Sequence, residues 1–129
     1  MFPLAEAQAS DRLPQECLEP VLAATAQAAE PRAGSRTDLQ GRPVKAVDGR
    51  SVQLPDTAAN QREYPQPSGQ KPGCGCPGLK LVGLFSLASG ALLDVVMGNR
   101  HSHDLRRFHR LWEGLKAGDI LLGDRAYGD

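Results

Sequence analysis

Two aspartates, Asp48 in "RPVKAVDG" and Asp124 in "DILLGDRAY", each stand at the end of an apolar, alternating stretch. Paired carboxylates at strand ends have a specific chemical use. Mg²⁺ is a hard cation that takes oxygen donors, commonly one or two carboxylates completed by water and substrate phosphate. Such sites cleave phosphodiesters by activating a water or hydroxyl and stabilising the leaving oxygen. An acid at a strand end also serves as a turn or cap residue, so spacing alone leaves both roles open. A second candidate constellation is "CGC", Cys74 and Cys76, with "HSH", His101 and His103. Its Cys-x-Cys spacing is tighter than the usual zinc knuckle, and Cys17 is remote, so incidental thiols in a Gly-rich loop are the expected reading.

The elements that must deliver the two aspartates follow from periodicity. In "VKAVDG", Val44, Ala46 and Asp48 share one face of a strand, because side chains alternate, and Gly49 is expected to break it. From Gln53 to Gly78, five prolines and four glycines predict a long irregular loop. "LKLVGLFSL" is almost wholly apolar, as for a strand buried on both faces. A two-residue Ser89-Gly90 turn then returns "ALLDVVMG" as the second strand of a hairpin. In "HSHDLRRFHRLWEGLKAG", Leu105, Phe108, Leu111, Trp112 and Leu115 fall at helical spacing, with Ser102 or Asp104 as the cap and Gly118 closing the end. "DILLGDRAY" is the last strand, with Ile120, Leu122 and Asp124 on one face. A strand, loop, hairpin, helix, strand order suits a mixed sheet in which the helix carries the final strand parallel to an earlier one. If that neighbour is the "VKAVDG" strand, Asp48 and Asp124 converge.

Composition narrows the classes. Fifteen basic and fifteen acidic residues cancel, so net charge specifies no partner. Three cysteines do not make a disulfide framework. No apolar run reaches membrane-spanning length, and "MFPLAEAQASDRL" lacks the regions of a signal peptide, which leaves a cytoplasmic setting as the expectation. Residues 1–43 carry little apolar bulk; "CLEPVLAATAQAAE" predicts a short helix with Pro20 near its first turn, followed by loop. Residues 44–129 form the expected folded unit. Local charge is uneven: Arg100, Arg106, Arg107, Arg110 and Lys116 oppose only Asp104 and Glu113 around the helix. That face suits phosphate contacts or simple solvation. Trp112 falls on the apolar stripe and is expected in the core. Asp94 and Lys80, mid-strand, are expected to pair or face solvent.

Taken together, "AVDGRSVQLPDTAANQREYPQP", "GLKLVGLFSLASGALLDV" and "GDILLGDRAY" resemble the DDE transposases of bacterial insertion sequences, over roughly residues 42–129. The branch is the one with an Asp-Gly-Ser/Thr first acid and an Asp-Arg-aromatic second acid. The resemblance implies a partial RNase H-like fold and Mg²⁺ (or Mn²⁺) as cofactor. Asp48 would be the first metal-binding acid and Asp124 the second, with Arg125 following in the second motif. It implies DNA, both transposon ends and target, as partner, with Arg100, Arg106, Arg107, Arg110 and Arg125 as the DNA-contacting set. A homo-oligomer or a full-length transposase is the possible protein partner, and the nucleoid the setting. The family's third acid, a Glu in a Tyr-Arg-Glu-Lys type signature, has no counterpart here. The expectation is a fragment that ends after the second acid and is inactive alone. The alternative is a non-catalytic remnant that binds DNA weakly or interferes with a complete enzyme.

Overall fold

The computed structural model describes residues 14–30, 38–99 and 105–124. Helix α1 spans Gln15–Ala29, strand β1 Val44–Gln53, helix α2 Ala58–Glu63, strand β2 Gly78–Ser86, strand β3 Leu92–Asn99, helix α3 Leu105–Trp112 and strand β4 Ile120–Leu122. The four strands form one sheet in the order β3-β2-β1-β4. β1 and β2 pair antiparallel, as do β2 and β3, while β4 lies parallel to β1. The chain is thus a mixed α/β fold in which α3 lies on the path between one edge strand and the other.

Why the sheet has a preferred face is visible in β1, whose Lys45 and Val47 are buried while Asp48 and Arg50 are exposed. Across the sheet Val47 meets Leu84, and Val82 meets Val96. Leu111 of α3 closes this layer: Val47, Val82, Leu84, Val96 and Leu111 form the core, with Leu93, Trp112 and Leu115 packed against it. Trp112, expected in the core from its place on the helical stripe, is partly buried and packs against the core's edge. The β2–β3 register shifts between Leu84 and Phe85, whose partners are Asp94 and Leu92. The residue left over is Leu93. A bulge of this kind bends the strand and redirects side chains, here adding Leu93 to the core.

Several local expectations need revision. Gly49 does not end β1, which runs on to Gln53; pairing with β2 down to Gly78 holds the glycine in the ladder. The long loop contains α2, started by Thr57, whose side chain accepts a hydrogen bond from the Asn60 N–H at 3.1 Å. The hairpin turn is wider than two residues: it occupies residues 87–91, with Gly90 at φ 71°. A left-handed backbone there favours glycine. Helix α3 stops at Trp112 instead of reaching Leu115, and single-turn hydrogen bonds from Glu113, Gly114 and Leu115 take over. The caps expected at Ser102 and Asp104 lie outside the described residues. Helix α1 begins two residues earlier than its apolar pattern suggests, which places Pro20 inside it. It packs against β3, and the Glu30 carboxylate after its last turn accepts from Ser89 Oγ at 2.8 Å.

Candidate active site

β1 and β4 are held in a parallel register that pairs Val44 with Ile120, Lys45 with Leu121 and Ala46 with Leu122. Paired residues of neighbouring strands place their side chains on the same face, and successive residues alternate. Asp48 therefore belongs to the face of Val44 and Ala46, the face away from α3. The ladder ends at Leu122; carried two residues further, the same offset sets Asp124 level with Asp48. Neighbouring strands lie about 4.8 Å apart, a separation that two carboxylates can span onto one cation. Both aspartates are exposed. Asp48 Oδ1 accepts the Gly49 backbone N–H at 2.8 Å, which orients the carboxylate.

The row that contains Asp48 explains why it stays open. Its partner on β2 is Gly83, which in turn faces Val95 on β3. A side chain at Gly83 would meet Leu92 Cδ1 at 2.9 Å and the Phe85 ring at 3.0 Å. The apolar neighbours thus come close to the Gly83 backbone, and no side chain at that position competes for the space beside Asp48.

On the opposite face, the base of β4 is fastened by polar groups. Lys45 and Asp119 are both nearly removed from solvent, with side chains 8% and 6% exposed, and Lys45 Nζ lies 2.6 Å from Asp119 Oδ2. Lys45 Nζ also donates to the Gly114 carbonyl at 2.9 Å, where the last turn after α3 leaves an acceptor. Asp119 Oδ2 takes a further hydrogen bond from the Lys116 N–H at 2.8 Å. Burial pushes the Asp119 carboxyl up. The hydrogen bonds from Lys45 and the Lys116 backbone, with the charges of both lysines, outweigh it and hold the group below its ordinary value. A depressed folded pKa stabilises the protein above the unfolded value of about 3.9, and that contribution disappears as pH falls through the folded value. Urea unfolding followed from neutral to acid pH should show the loss below about pH 4, and Asp119→Asn should flatten that part of the profile. A variant with the same acid limb as the parent would remove Asp119 from the explanation.

Arg100, Arg125, His101 and His103 lie outside the described residues. Arg106 and Arg107 fall within α3, while Arg110 is bridged to Asp94 at 3.5 Å, with the two side chains 55% and 28% exposed. That pair answers the question about Asp94, which is engaged with a cation of α3. Exposed bridges of this kind contribute little stability. Cys74 and Cys76 are free and exposed. Among the described residues no three His, Cys, Asp or Glu side chains gather as a metal-binding group. Lys45 and Asp119 escaped attention in the sequence. The signal was present, since Lys45 alternates with the core residue Val47 and a lysine on a core face demands a buried partner.

A four-stranded mixed sheet with an antiparallel hairpin and one parallel pair is compatible with part of an RNase H-like fold. The model of the transposase DDE domain matches residues 39–129, and the chain belongs to that family. Membership implies a DNA substrate and a chemistry that normally uses divalent metal. No curated protein and no solved structure gives a significant match. No helix among the described residues is long and apolar enough to cross a membrane.

Proposed function

We propose that this chain carries the first two acids of a DNA-cleaving and strand-transferring transposase centre, Asp48 and Asp124, and that residues 44–129 are the unit that presents them. The observation that carries the reading is the β1–β4 register, whose offset matches the separation of the two aspartates. The donor set fits Mg²⁺ or Mn²⁺: two hard carboxylates, with coordination left for water and phosphate oxygens. Bound there, the ion supplies Lewis-acid stabilisation of the phosphate charge.

The chain's own residues do the positioning. The Gly49 N–H orients Asp48, and β1 holds that carboxylate at a fixed height on the sheet. Arg100, Arg106, Arg107, Arg110 and Arg125 would give an affinity for the phosphate backbone that falls steeply with salt, and the three carried by α3 belong to a helix packed on the sheet face opposite Asp48. The reading of the centre as incomplete rests on the sequence, in which no Tyr-Arg-Glu-Lys type signature accompanies the two acids. The chain alone then binds DNA and metal weakly and performs little or no strand transfer. Its protein partner is another copy or a full-length transposase.

Mn²⁺ binding followed by electron paramagnetic resonance, with nicking of supercoiled DNA alongside, tests the assignment. The expected result is weak Mn²⁺ binding by the parent and none by Asp48→Asn or Asp124→Asn, with nicking at background in all three. Binding that persists in both variants would overturn the metal assignment. Strand transfer by the parent alone would overturn its incompleteness.

A further inference from the structure

β4 has an unusual problem of definition. Only three residues pair it to β1, and parallel pairing is slightly weaker per residue than antiparallel pairing. Strand register is normally enforced by burial, because a slip of one residue turns every side chain to the other face. Burial enforces only part of it here: Ile120 is half-buried, but Leu121 is 37% exposed and Leu122 58% exposed. Hydrophobicity therefore specifies only weakly on which side of the sheet the end of β4 emerges.

Polar contacts at the base of the strand discriminate where burial does not. Arg42 Nε donates to the Gly118 carbonyl at 2.7 Å, and the Ile120 N–H donates to the Pro43 carbonyl at 2.8 Å. The first lies before the ladder, and the second is the ladder's opening bond, at the Val44–Ile120 pair. The third contact is the buried one: Lys45, within β1, holds Asp119, the residue immediately before β4, while also holding Gly114 behind α3. Lys45 points to the α3 face, so it can reach Asp119 only when Asp119 is on that face. Alternation through β4 sends Ile120 and Leu122 to the opposite face, the one that carries Asp48, and continued two residues past the strand it would bring Asp124 there as well.

We propose that the Lys45–Asp119 pair is a register latch, a positioning pair that sets which face of the sheet receives Asp124. Its functional meaning rests on the reading of Asp48 and Asp124 as a metal pair; its structural meaning does not. The latch acts at a distance from the metal, through the alternation of the short strand between.

The test separates position from stability. Cys17, Cys74 and Cys76, all exposed, are replaced by serine, and two reporter pairs are made in the full chain: Ala46→Cys with Leu122→Cys, and Ala46→Cys with Leu121→Cys. A short bifunctional thiol reagent should close the first pair and leave the second open, since only the first shares a face. Lys45→Met with Asp119→Ala is then added to each, alanine being too small for its own burial to set the face of the strand. Replacing both members of a buried ion pair by apolar residues is often neutral or stabilising, so melting and far-ultraviolet dichroism should be preserved. The latch predicts that selectivity is nonetheless lost, with both pairs closing. Retained selectivity for the first pair in a folded double variant would overturn it. Should the double variant fail to fold, Asp119→Ala alone, which removes the acceptor Lys45 grips, carries the same readout.

Mn²⁺ affinity supplies the second arm. It should fall roughly 10–100-fold in the latch variant, the range for losing a group that orients a metal ligand. A parent that holds register but binds no Mn²⁺ would defeat the metal reading while leaving the latch in place. A variant that loses register yet keeps full Mn²⁺ affinity would remove the latch's role in the metal site.

Discussion

Lys45→Met should cost the fold about 3–5 kcal/mol, the range for breaking one side of a buried ion pair. The substitution leaves Asp119 with a side chain only 6% exposed and without its cation. It also removes the donor to the Gly114 carbonyl. The Asp119 carboxylate would then be desolvated without full compensation, which is more costly than losing an exposed bridge. The total stability of a domain is about 5–15 kcal/mol, so the loss should be a large share of it. Denaturant midpoints for the parent, Lys45→Met, Asp119→Leu and the double variant form a closed cycle. The expected result is strong coupling: each single change is severe, and the double change recovers most of the loss. Additive effects would show that the two side chains do not depend on each other.

Leu84→Ala should cost about 2–5 kcal/mol through the cavity it leaves. Leu84 is 0% exposed and lies at the centre of the sheet. It is also the point where the sheet meets the turn after α3: a side chain at Gly114 would come within 2.9 Å of Leu84 Cδ2. The cavity would therefore open under the backbone that Lys45 grips. The measurement is urea unfolding, with Leu122→Ala as the comparison. Leu122 is 58% exposed, and its loss should change stability by no more than about 0.5 kcal/mol. Equal effects at the two positions would mean that the core is not where Val47, Val82, Leu84, Val96 and Leu111 converge.

The open edges of the sheet bear on both measurements. β3 and β4 are the outer strands, and β4 exposes Leu121 and Leu122. Unpaired strand edges template association between chains. Concentration-dependent unfolding midpoints would report such association and should be checked before free energies are compared.

The local sequence determined a good deal. Alternation in "VKAVDG" placed Asp48 with Val44 and Ala46, because a strand has only two faces. The 3.6-residue pattern put Leu111 and Trp112 against the core, because a helix buries one stripe. Where local rules compete, the outcome depended on neighbours. Gly49 would end an isolated strand, yet pairing with β2 carries β1 through it. The helix Ala58–Glu63 hid among prolines and glycines, although Thr57 three residues before Asn60 was a legible cap.

Tertiary structure alone decided the rest. Nothing local reveals that Lys45 and Asp119, far apart in sequence, form one buried contact, or that β4 lies against β1 and not against β3. Those facts follow from how the chain between β3 and β4 crosses the sheet, and from the need of a buried ammonium for a partner. A residue's type and its neighbours set the face it occupies, because alternation acts over two residues. Which other strand shares that face depends on contacts closed by the whole chain.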